Sequence, residues 1–140
     1  MSRIIDLVDL VVAGLNLQTW TVPFTATRTY RPVFDLKDMT TLRVSVVPKA
    51  LVIAASSRAS SMRDLVIDIG VQKKLIAAGQ VDMDDLMDTT EEIETYLRAN
   101  RVFGNAMWTG TENSPVFSQE HLADLRQFTS VLTVTYRQLG

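Results

Sequence analysis

The sequence predicts an α+β fold: a mainly antiparallel twisted β-sheet covered on one face by two amphipathic helices, with a short third helix before the last strand. Three observations predict it. Two stretches place apolar residues at the helical spacing i, i+3, i+4, i+7. Several others alternate apolar and polar residues with the two-residue period of half-buried strands. The strands follow one another through short connections, which favours antiparallel pairing over crossover units.

The first helix is expected over 3–14. Ile4, Leu7, Val8, Val11 and Leu15 form one stripe, and Asp6 suits the positive end of the helix dipole. Gly14 is the expected stop, with Asn16 beyond it. Residues 19–30 then change period. Trp20, Val22, Phe24, Ala26 and Tyr30 alternate with Thr19, Thr21, Thr25, Thr27 and Thr29, which predicts a strand. Pro23 cannot donate to a ladder, so this strand belongs at an edge or carries a bulge. Leu42, Val44 and Val46 alternate with Arg43 and Ser45 in a strand expected to end by Pro48. Residues 51–54 extend a third.

The small, polar run around Arg58 predicts a flexible loop over about 55–62. Over 63–73, Leu65, Ile67, Ile69 and Val71 face inward. A second helix is expected over 82–99 with Asp82 as its N-cap and Met83, Leu86, Met87, Thr90, Ile93 and Leu97 as its buried stripe. Its acidic first half and the arginines at 98 and 101 complement the dipole. Residues 105–112 suit a short strand, Ser118 caps a short helix to about Arg126, and Phe128 to Arg137 form the last strand.

With 140 residues the chain fits a single domain, 1–140. It has no cysteine, which excludes disulfides, thiolate metal sites and a cysteine nucleophile. His121 is its one histidine and has no evident partner for acid–base work, so a structural role is expected. The glycines form no phosphate-binding loop, and no nucleophile elbow is present. The cluster Asp82, Asp84, Asp85 and Asp88 fits a solvated helix start and lacks the glycine and terminal glutamate of a calcium loop. No enzyme, cofactor or metal is therefore expected. A net charge of −2 argues against a general nucleic-acid binder. Asp6 and Asp9 interrupt the N-terminal apolar run, and Asn16, Gln18 and Pro23 break the next, so neither a signal peptide nor a membrane span is expected. The polar threonine faces and the arginines predict contacts between subunits. The candidate interface residues are Arg28, Arg31, Arg58, Arg63, Thr25, Thr27, Thr133 and Thr135.

The order of segments is also familiar. A helix is followed by T-R-T-Y-R-P at 27–32, F-D-L-K-D-M at 34–39 and L-R-V-S-V-V-P at 42–48. After the serine-rich tip come R-D-L-V-I-D-I-G-V-Q-K-K at 63–74 and, at the end, F-T-S-V-L-T-V-T-Y-R at 128–137. This order resembles the small virion proteins of tailed bacteriophages, of the tail-terminator and neck kind. It contains no catalytic motif. The resemblance implies a structural protein that forms a ring, typically a hexamer, on the end of the tail tube. Its partners would be further copies of itself, the tail tube protein and the head–tail connector, with genomic DNA passing through unbound. An acidic lumen would let DNA slide without sticking. The implied location is the virion neck, after assembly in the bacterial cytoplasm. A head-completion or other neck protein fits the same pattern. A small dimeric α+β ligand-binding domain is the reading from a different class, and it requires a concave pocket with convergent polar groups.

Overall fold

The computed structural model describes residues 2–30, 42–55, 61–74, 80–113 and 127–139. They run as α1 (Arg3–Asn16), β1 (Thr25–Arg28), β2 (Arg43–Ala55), β3 (Ser61–Lys74), α2 (Gln80–Ala99), β4 (Val102–Phe103), β5 (Ala106–Asn113) and β6 (Gln127–Leu139). The strands make one six-stranded sheet in the order β1-β2-β3-β6-β5-β4. β1 lies parallel to β2, and the other neighbouring pairs are antiparallel. The α+β class thus holds, but the sheet is mixed. The connection from Arg28 to Arg43 is long enough for a parallel return, which a tight hairpin is not. The expected short helix at 118–126 lies outside the described residues, as does His121.

α1 starts where the Ser2 hydroxyl accepts a hydrogen bond from the Ile5 amide, at 3.4 Å. Leu7, Val8, Val11 and Leu15 are buried, as the spacing predicts. The helix does not stop at Gly14 but runs on to Asn16. Gly14 serves space instead: a Cβ there would lie 2.6 Å from the Tyr96 hydroxyl and 3.2 Å from Phe103. α2 begins at Gln80, so Asp82 falls in its first turn rather than at its cap. Leu86, Ile93 and Leu97 are buried on the expected stripe, beside Thr89 and Thr90.

The strand expected over 19–30 shrinks to Thr25–Arg28. The backbone before it is hydrogen-bonded to a helix rather than to another strand. Glu92 of α2 accepts from the Thr21 amide (3.0 Å) and the Thr21 hydroxyl (3.1 Å). Thr89 accepts from the Val22 amide at 3.1 Å. The Trp20 indole donates to the Leu15 carbonyl at 3.0 Å and stacks on Phe24. The alternation of Trp20, Val22 and Phe24 thus packs a strap against the core rather than extending a ladder.

Asn16 fixes where that strap becomes a strand. Its side chain accepts from the Ala26 amide (2.7 Å) and donates to the Ala26 carbonyl (3.1 Å), standing in for a strand neighbour. Asn16→Ala leaves both groups unpaired and is expected to lower stability by about 1–3 kcal/mol, read from urea unfolding.

The two strands expected around Pro48 are one continuous β2. Pro48 stays within it because the register shifts between Pro48 and Ala50, leaving Lys49 as a bulge where the ladder is already broken. β3 spans slightly more than expected, and Ala55, Ser61 and Met62 belong to strands, so the expected 55–62 loop narrows; residues 56–60 lie outside the described residues. One face of the central strands carries the core. Cross-strand rows Val46–Ile69–Leu132, Ile67–Val134 and Leu65–Tyr136 meet the buried faces of α1 and α2.

Tyr136 is fully buried, edge-on to Phe103, and its hydroxyl has no hydrogen-bond partner among the described residues. Burial first, and the neighbouring Tyr96 second, push its pKa well above the ordinary value of about 10. The folded state therefore holds this proton more tightly than the unfolded chain does. The linked stability is complete below about pH 10 and is lost as pH rises beyond it. Tyr136→Phe removes an unpaired hydroxyl at little cost in stability. Urea midpoints measured from pH 8 to 11 should fall less steeply above pH 10 in this variant than in the parent.

Candidate assembly surface

β6 is central, so its two faces meet different surroundings. Phe128, Leu132, Val134 and Tyr136 enter the core. Thr129, Val131, Thr133, Thr135 and Arg137 lie on the second face, away from that core. Asp68 on β3 accepts the Thr133 hydroxyl at 2.7 Å and lies 3.6 Å from Lys49. Asp64 pairs with Arg137 at 3.0 Å. These pairs sit on cross-strand neighbours, where opposite groups support the sheet.

Two bulges flank the central pair at the same level. Lys49 interrupts β2, and Thr109 interrupts β5. Both adjoin the row Ala50–Val66–Thr135–Gly110. A bulge bends its strand and raises the local twist. Past this level the sheet outgrows its cover towards both edges. On the core-side face, Leu51 is 50% and Ile53 57% exposed. On the second face runs the row Val52–Asp64–Arg137–Met107–Val102. Its apolar ends, Val52, Met107 and Val102, are 55%, 55% and 58% exposed. A cavity of about 570 Å³ opens beside Met107, lined also by Met62, Asn105, Thr109 and Arg137. The exposed apolar side chains thus lie at two places, Leu51–Ile53 on β2 and Val102 with Met107 on β4 and β5, and these are the candidate interaction surfaces.

The eight residues singled out from the sequence do not form one patch. Thr25 and Thr27 are exposed on the β1 edge. Arg28 beside them is bound within its own chain, to both carboxylate oxygens of Asp9 (3.1 and 3.2 Å). Thr133 and Thr135 lie on β6, with β2 and β3 between them and β1. Thr133 is engaged with Asp68, and the Thr135 carbonyl accepts from Thr109. Arg63 is half-buried opposite Ile53 and has an interaction partner. Arg31 and Arg58 lie outside the described residues. The residues missed are Leu51, Val52, Ile53, Val102 and Met107. For Leu51, Val52 and Ile53 the signal was the unbroken apolar run at 50–54, which lacks the alternation of a half-buried strand; Val102 and Met107 had none.

A second concavity, of about 630 Å³, lies between the 18–21 strap and α2. Trp20 and Tyr96 meet edge to face there, beside Asp88, Glu91 and Glu92. The Glu92 carboxylate already holds Thr21. Among the described residues no three carboxylate or imidazole groups are placed to hold a metal ion. No described helix is long and apolar enough to cross a membrane.

No protein-family model matches this chain, and no curated protein matches it. The functional reading therefore rests on the surface and on the order of segments.

Proposed function

We propose that the chain is a non-enzymatic structural protein of a tailed-phage or prophage virion, a tail terminator whose homo-oligomeric ring caps the tail tube and meets the head–neck connector. The observation that supports it best is the uncovered part of the sheet, where apolar side chains of β2 are exposed on both faces. A monomer gains nothing from such exposure, whereas a subunit buries it against its neighbour. The near-balanced charge suits contacts between like copies and a ring that DNA passes without binding. A head-completion role uses the same surface in a neighbouring ring of the neck.

One observation favours a second reading, a dimeric ligand-binding domain. It is the open concavity beside Trp20 and Tyr96, where the carboxylates of Asp88 and Glu91 lie close by. Light scattering over a concentration series, with negative-stain images of the same samples, separates the two. Rings with a central hole are the expected result. A strict dimer overturns the ring reading. If the chain stays monomeric, polymerising tail tubes are the next sample, and tubes that grow to the same length with and without the protein overturn it as well.

A further inference from the structure

Gln138 is a polar residue at a core-facing position. On β6 it follows Val134 and Tyr136 on the face that enters the core. Its side-chain oxygen is buried and has no hydrogen-bond partner among the described residues. Such an oxygen has lost its water without replacing it, which is unfavourable until a donor arrives.

Gln138 lines a cavity of about 200 Å³. The cavity lies between the first turns of α1, the Leu65 end of β3 and the turn that joins β4 to β5. Gly104 makes that turn at φ 60°. It brings the backbone so close to α1 that a Cβ there would lie 3.2 Å from Leu10. Leu7, Leu10, Leu65 and Phe103 give the cavity apolar walls. Leu10 is 45% exposed, so this apolar lining reaches solvent. Arg3 and Asp6, also in the lining, are exposed and carry opposite charges, so the cavity has no net charge of its own.

These features specify an occupant. About 150 Å³ holds benzene in an apolar cavity, and drug-sized ligands need about 300 Å³ or more. The space therefore takes one ring with a small substituent. Apolar walls and balanced charges select a neutral molecule. Phe103 favours an aromatic ring, which gains a ring–ring contact. Gln138 requires a hydrogen bond at one end. A hydroxyl both donates and accepts, so it pairs with the carboxamide in either of its orientations.

We infer that the cavity between α1 and the β4–β5 turn is a binding site for a small neutral phenol, its hydroxyl paired with Gln138 and its ring against Leu7, Leu10, Leu65 and Phe103. The site is separate from the concavity beside Trp20 and from the exposed apolar residues of β2, so it depends on neither functional reading. The same chemistry comes from two sources, a free phenol or a tyrosine side chain of a bound segment.

The test is a titration of the full chain with p-cresol and with toluene, followed through backbone amide shifts. Toluene has the same ring and methyl group but no hydroxyl. The expected result is saturable shifts at Leu10, Gly104, Ala106 and Gln138, with p-cresol bound about tenfold more tightly than toluene. Gln138→Leu should erase that preference and still bind toluene. The oxygen it removes has no partner, so the spectrum elsewhere should stay that of the parent. Toluene binding as tightly as p-cresol in the parent overturns the hydroxyl recognition, and a preference that survives in Gln138→Leu overturns the role of Gln138. Absence of saturable shifts at these residues with either ligand up to about 5 mM overturns the site. N-acetyltyrosinamide separates the two sources. Binding as tight as that of p-cresol assigns the site to a tyrosine side chain, and its exclusion while p-cresol binds assigns the site to a free phenol.

Discussion

Ile93→Asp abolishes cooperative unfolding of this protein. Ile93 is fully buried at the middle of α2, with Leu86 and Leu97 on the same buried stripe and β5 and β6 beneath the helix. The substitution removes a buried branched side chain, which alone costs roughly 2–5 kcal/mol. It also places a carboxyl group among apolar side chains of the core. Arg98 is committed to Glu94 on the outer side of the helix, at 3.4 Å. Burying that group, charged or neutralised, adds a penalty on the order of several kcal/mol. The sum is comparable with the whole stability of a typical domain, about 5–15 kcal/mol. Circular dichroism and scanning calorimetry should show no sharp transition. Exposed Glu91→Gln, two residues earlier, is the control and should melt like the parent. An unchanged melting temperature for Ile93→Asp would place the stripe outside the core.

That stripe was readable because a helix repeats its environment every three or four residues. Met83, Leu86, Ile93 and Leu97 therefore declare one face without reference to anything else. β3 was readable for the same reason, since Leu65, Ile67, Ile69 and Val71 keep strict alternation. β1 was not. Residues 19–24 have the period of a strand, but the amides of Thr21 and Val22 are taken by Glu92 and Thr89, 71 and 67 residues away in sequence. Periodicity reports which side chains turn inward, not which group receives each amide. Pro48 misled in the opposite way, because a proline ends a regular strand but not one that is already bulged. The parallel seat of β1 depends on where a long connection returns, which no local pattern encodes.

The candidate surface was hidden for a different reason. The threonines drew notice as a polar face, yet Thr133 is committed to Asp68 within the sheet. Residues 51–54 read only as the extension of a third strand. Only the extent of the helix cover reveals them as exposed, and that extent is a property of packing.

Leu51→Lys combined with Ile53→Lys is expected to leave the chain folded and abolish the proposed ring assembly. Both side chains are half or more exposed, so lysine there keeps its ammonium in water and its stem against the neighbouring strand. The urea midpoint of the dissociated subunit should move by no more than about 0.5 kcal/mol of equivalent stability. In the proposed ring these positions are covered by a neighbouring copy, and each lysine must be desolvated there. A penalty of about 1.4 kcal/mol per site is a tenfold loss, so the pair weakens each contact about 100-fold. The loss recurs at every contact around a ring, and closed rings therefore disappear at concentrations where the parent forms them. Sedimentation velocity over a dilution series measures this directly. Lysines on an open edge are also the device by which folded sheets refuse unwanted partners. Rings that persist in the double variant would move the contact away from the β2 edge.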